Sequence, residues 1–74
     1  MIELRKDFKQ IFGENLKRQI NFIEKSQREI AKEIGCSQKS ISNWINGTSQ
    51  PKMEHILRMT KLFDCDYIDL FEKL

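Results

Sequence analysis

Apolar residues recur every three or four positions along nearly the whole chain, with no strict alternation and no β-branched runs. That periodicity predicts helices and no strands. Polar punctuation divides the pattern into five stretches. The first runs from Leu4 or Lys9 to Glu24 and sets Phe8, Ile11, Phe12, Leu16, Ile20 and Ile23 on one face. Gly13 interrupts it and weakens its middle by up to ~1 kcal/mol relative to Ala. A start near Phe12 is therefore the alternative, with residues 1–11 as an N-terminal arm rather than a helical extension. The second stretch runs from Gln27 to Ile34. Ser26 and Glu29 give it the S-x-x-E capping box, and Gly35 stands where a left-handed residue closes a helix. The third runs from Gln38 to Asn46, with Ser37 as N-cap and Asn46-Gly47 as its stop. After a loop through Pro51, the fourth runs from Lys52 to Phe63, with Met53, Ile56, Leu57, Thr60 and Phe63 facing inward. Asp66 then caps a fifth helix from Tyr67 to Lys73, whose apolar residues are Tyr67, Ile68, Leu70, Phe71 and Leu74.

The segment from Gln27 to Asn46, QREIAKEIGCSQKSISNWIN, holds two short helices joined by a turn of three residues at Gly35-Cys36-Ser37. Ile30, Ile34, Ile41 and Trp44 are its apolar positions, and small Ala31 sits where the second helix must cross closely. This is the spacing of a helix-turn-helix unit, in which two crossed helices brace each other and the second enters a DNA major groove. Ile41 and Trp44 point inward. Gln38, Lys39, Ser42 and Asn43 are left on the outer face, and these side chains have base-reading chemistry. Gln and Asn pair with adenine N6 and N7, Lys donates to guanine O6 and N7, and Ser serves either way.

From Asn15 to Leu70 the chain resembles the Xre family, the Cro- and phage-repressor-type helix-turn-helix regulators. The matching text is SQREIAKEIGCSQKSISNWING, then PKMEHILRMTKLFDCD, then IDLF. The family pattern is S/T-Q-x-E-L-A, G-V-S, I-S-x-W-E-x-G, a Pro, L-x-x-L-A-x-x-L-x-V and a closing hydrophobic turn. The resemblance implies an all-α, five-helix, lambda-repressor-like fold. It implies that Gln38, Lys39 and Asn43 contact bases, that Ser37 and Ser42 make flanking contacts, and that Gln27, Asn46, Gly47, Thr48 and Lys52 lie against phosphate. The chain also departs from the pattern. Ile45 stands where the family often has Glu, and Lys52 replaces the polar cap after Pro51. One alignment puts Ile20 in the slot of the family's Arg and Gln19 in a core slot. A one-residue deletion before Ser26 instead puts Ile20 in the core slot and Asn21 in the Arg slot.

Composition sets the outer limits. Seventy-four residues make one domain, 1–74, too small for a second effector unit. The net charge of +2 permits nucleic-acid binding without arguing for it. Its distribution is more informative. Residues 1–63 carry 12 basic and 7 acidic side chains, a net of +5, whereas residues 64–74 carry 1 basic and 4 acidic, a net of −3. The acidic end is expected to face away from phosphate. Cys36 and Cys65 are read as free thiols and His55 as a partly packed or solvated side chain, since one His and two distant Cys make a poor zinc set. Asp64, Asp66 and Asp69 are read as a cap and solvated charges. No apolar leader and no long apolar run is present, which predicts a cytoplasmic protein that is neither secreted nor membrane-spanning.

The reading is thus a DNA-binding transcriptional regulator of bacterial, phage or plasmid origin. It acts as a repressor and binds a palindromic operator as a homodimer through Tyr67, Phe71 and Leu74; the alternative for these three is closing the core. No cofactor, metal, small-molecule ligand or catalysis is expected. A second reading assigns the same frame to a protein partner, as an antitoxin-like or anti-repressor module that does not bind DNA on its own. Salt-insensitive binding would favour it.

Overall fold

The computed structural model describes residues 8–71, and every regular element among them is helical. The order is α1 (Phe8–Phe22), α2 (Gln27–Ile34), α3 (Gln38–Ile45), α4 (Met53–Leu62) and α5 (Tyr67–Phe71). The main packing pairs are α1 with α3, α3 with α2, α2 with α4, α4 with α5 and α5 with α1. These close a ring around one core built from Phe12, Leu16, Ile30, Ala31, Ile34, Ile41, Trp44, Ile56, Met59, Phe63 and Leu70. Residues 1–7 of the expected arm or extension, and the expected last turn of α5, lie outside the described residues.

The local signals in the sequence act as their chemistry dictates. Ser26 Oγ accepts from the Glu29 amide at 3.1 Å, and Glu29 Oε1 accepts from the Ser26 amide at 3.2 Å, which completes the capping box. At α5 the capping bond comes from Asp69 rather than from the expected Asp66 side chain: the Asp69 carboxylate accepts from the Asp66 amide at 2.9 Å. Asp64 adopts φ 51° and turns the chain from α4 towards α5, a conformation that Asp tolerates better than most residues.

The helix α1 covers Phe8–Phe22 and runs through Gly13, so the alternative start near Phe12 is set aside. Gly13 is there for space. A Cβ on it would stand 2.6 Å from the carbonyl oxygen of Trp44 and closer still to that of Ile45. Asn15, roughly 200° away around the helix at about 100° per residue, is buried on the other side and donates from Nδ2 to the Leu70 carbonyl at 3.1 Å. The core-facing surface of α1 is therefore wide, because α3 and α5 flank it on opposite sides. Ile20 packs against the core, Gln19 beside it is likewise partly buried, and Asn21 is exposed. Ile45 also packs there.

The expected inner face of α4 needs correction. Ile56, Met59 and Phe63 are buried, whereas Met53 and Leu57 are 54% and 53% exposed. At about 100° per residue, Met53 and Leu57 lie roughly 90–130° away from the stripe centred on Ile56, Met59 and Phe63. Their periodicity marks a second apolar stripe that the ring leaves uncovered. Thr60 lies between the two stripes and is partly buried.

Candidate nucleic-acid interface

The turn between α2 and α3 is built by backbone geometry. Gly35 sits at φ 85°, in the left-handed region that favours glycine. This lets the amides of Gly35 and Cys36 both donate to the Ala31 carbonyl, at 2.8 and 2.9 Å. Ser37 is extended, and its Oγ accepts from the Ser40 amide at 3.1 Å and pairs with the Ser40 hydroxyl at 3.0 Å. Arg58 reaches across from α4 and donates from Nη1 to the Ile34 carbonyl at 3.0 Å. A Cβ on Gly35 would run into that guanidinium. Nothing in the sequence around Arg58 points to this role. Its partner is a backbone carbonyl 24 residues away, and side-chain spacing carries no trace of such a bond.

Ile41 and Trp44 are buried, so the opposite face of α3 turns outward. Gln38, Lys39 and Ser42 are exposed on it, and Asn43 is half-buried at its edge. The four side chains fall within an arc of roughly 140°. Lys39 is the only charged residue of α3. Past the helix, Asn46 is exposed at the C-cap and Gly47 takes φ 76°. Thr48 folds back, its amide and Oγ1 donating to the Asn43 carbonyl at 2.9 and 3.1 Å. Lys52 is exposed at the N-cap of α4 and makes no side-chain cap bond. The first amides of α4 therefore lack the side-chain acceptor that Ser26 and Ser37 supply to α2 and α3. Gln27 is exposed as the first residue of α2. Of the expected contact residues, Ser37 and Thr48 have hydroxyls that are already engaged, the first in the cap and the second on the Asn43 carbonyl.

The remaining singled-out side chains lie elsewhere. Asp64, Asp66 and Asp69 are exposed on α5 and the connection before it, an element that packs on α1 and α4. Cys36 and Cys65 are free thiols, both partly buried against the core. Burial pushes the Cys36 thiol above its ordinary value near 9.0. Burial, then Asp69, Asp66 and Asp64, push Cys65 in the same direction. His55 lies beside Trp44, with ring centres 5.4 Å apart, and its buried Nδ1 has no hydrogen-bond partner among the described residues. Phe71 stacks on Phe8 at 4.8 Å and on Phe12 at 5.1 Å, so it closes the core between α1 and α5. Tyr67 leans on Phe71 at 4.7 Å and stays 45% exposed. Leu74 lies outside the described residues. Ile68, which is not among the expected interface residues, is the most exposed apolar residue of α5.

The helix-turn-helix family matches residues 17–70. The solution structure of the SOS-response transcriptional repressor LexA from Eubacterium rectale superposes with a TM-score of 0.85 at 35% identity, covering 96% of this chain and 76% of that one. The crystal structure of a hypothetical transcription factor, NHTF, from Neisseria superposes with a TM-score of 0.80 at 18% identity, covering 97% of this chain and 85% of that one, a likeness of fold alone. No curated protein sequence matches the chain.

Proposed function

This chain belongs to the helix-turn-helix family, in its Xre and Cro type, and from that premise we propose that it is a transcriptional repressor that binds a palindromic DNA operator as a homodimer. The observation that carries the reading is α3 itself. Its apolar pair, Ile41 and Trp44, is fully used in the core. Its outer face holds Gln38, Lys39, Ser42 and Asn43, a short array of hydrogen-bonding groups with a single charge. A face built only for solubility would more often mix Glu with Lys.

In this reading Gln38, Lys39, Ser42 and Asn43 read base edges in the major groove. Gln27, Ser37, Asn46, Gly47, Thr48 and Lys52 flank them and hold phosphates. The uncapped start of α4 beside Lys52 supports the last of these, because free helix N-terminal amides favour an anion. Asp64, Asp66 and Asp69 lie on α5 and its approach, away from α3 in the ring order. Dimerisation through Tyr67, Phe71 and Leu74 is supported by the apolar surface of α5, on which Tyr67 and Ile68 are exposed. Two copies would place their recognition helices about one DNA turn apart, ~34 Å.

The test is selection from a random DNA duplex pool at two salt concentrations. The expected product is a short palindrome bound with affinity that falls steeply as salt rises. Gln38→Ala and Asn43→Ala should each lose ~1–3 kcal/mol at particular base pairs. Recovery of no sequence at either salt would refute DNA reading and favour a protein partner for the same face.

A further inference from the structure

Gly13 makes no contact with DNA in the reading above, yet the end of the recognition helix rests on it. The carbonyl oxygens of Trp44 and Ile45, the last two residues of α3, lie against the bare backbone of α1 at this glycine. One turn earlier, the Asn46-Gly47 stop of α3 sits over the first turn of α1: a Cβ on Gly47 would stand 3.5 Å from Gln10 Cγ and 3.6 Å from its Cα. The C-terminal half of α3 is thus seated along α1, with nothing between the two backbones at Gly13.

We propose that Gly13 is a positioning residue for DNA reading: the absence of a side chain there sets the tilt of α3, and with it which bases the far end of the helix meets. This rests on the function proposed above. Bringing a Cβ from 2.6 Å to ordinary contact with the Trp44 oxygen requires a shift of about 1 Å. The helix α1 resists moving, since Phe12 and Leu16 are fully buried and Asn15 ties its other side to Leu70. The start of α3 resists as well, held by the Ser37 cap and the tight turn at Gly35. The yielding part is the end of α3, which runs into the loop before α4. Eight residues span about 12 Å, so a 1 Å lift at one end rotates α3 by about 5° around its start. Gln38 and Lys39 stay near the pivot. Asn43 moves most.

The experiment repeats the random-duplex selection with Gly13→Ala and compares it with the wild-type protein, Gln38→Ala and Asn43→Ala, with folding of each checked by thermal melting. The expected result is a folded Gly13→Ala protein that keeps its preference at the base pairs marked by Gln38→Ala. At those marked by Asn43→Ala it loses preference by about fivefold or more, the low end for a lost base contact. Unchanged preferences, or an equal loss at every position, would overturn the proposal and leave the DNA-reading function standing. If even the wild-type protein selects no sequence, the underlying function fails and the proposal fails with it. Should Gly13→Ala not fold, a Gly13→Ala, Asn46→Gly double variant lets the last turn of α3 yield, with Asn46→Gly alone as control. The same position-specific loss is expected from the double variant relative to that control. Failure of both Gly13 variants to fold would make the glycine a requirement of the whole fold and overturn a positioning role.

Discussion

Trp44 offers the sharpest test of the core, because two roles for it predict opposite outcomes. An exposed Trp at this place would stack on nucleic acid, but here the indole is 4% exposed and lies in the core beside His55. Burying roughly 200 Å² of aromatic surface at about 25 cal/mol/Å² contributes about 5 kcal/mol. Ala retains part of that burial and neighbours relax into the gap, so Trp44→Ala should cost ~3–5 kcal/mol. A domain of this length has a total stability of only about 4–11 kcal/mol. The variant should therefore lose at least about 12 °C in melting temperature, at about 4–8 °C per kcal/mol. Circular dichroism at helix wavelengths is the assay, since the variant has no indole to report by fluorescence. Trp44→Phe serves as the partner variant. It keeps an aromatic ring in the core, should lose less stability than Trp44→Ala, and should bind the selected duplex. A Trp44→Ala protein that melted within about 5 °C of wild type while losing DNA binding would refute the core assignment and make Trp44 a contact residue.

Three further outcomes follow from the geometry. Ser26→Ala removes the acceptor for the Glu29 amide and should cost ~1 kcal/mol, read as a drop in urea midpoint at unchanged slope. Asn15→Leu leaves the Leu70 carbonyl without its side-chain donor and should cost ~1–3 kcal/mol; no loss in the same denaturation assay would show that α5 does not depend on that bond. The thiol of Cys65 is held above 9.0 by burial and by Asp69, Asp66 and Asp64. A raised folded value favours the neutral thiol, so its contribution to stability is complete below pH 9.0 and is lost as pH rises through the folded value. Alkylation of Cys65 in the folded protein should show its pH midpoint above that of the urea-unfolded chain, and a midpoint at or below it would contradict the assignment.

Much of the fold was legible because its signals are local. The Ser26–Glu29 box, the left-handed Gly35, the Ser37 cap and the Asn46-Gly47 stop each act within a few residues, so α2, α3 and their turn are read correctly from spacing alone. The outward residues of α3 follow from the same periodicity, since Ile41 and Trp44 leave Gln38, Lys39, Ser42 and Asn43 one side to occupy. What periodicity does not contain is which apolar stripe finds a partner. Met53 and Leu57 read as core but are exposed, because α2 and α5 cover only the stripe through Ile56, Met59 and Phe63. Gly13 reads as a weak point in a helix and turns out to be the place where the end of α3 meets α1. Arg58 and Asn15 read as ordinary polar residues, and each serves a backbone carbonyl 24 and 55 residues away. Local chemistry determined where helices begin and end and which side chains the recognition helix presents. Only packing in three dimensions decided which faces are covered and what holds that helix at its angle, because close approach between backbones leaves no periodic mark along the chain.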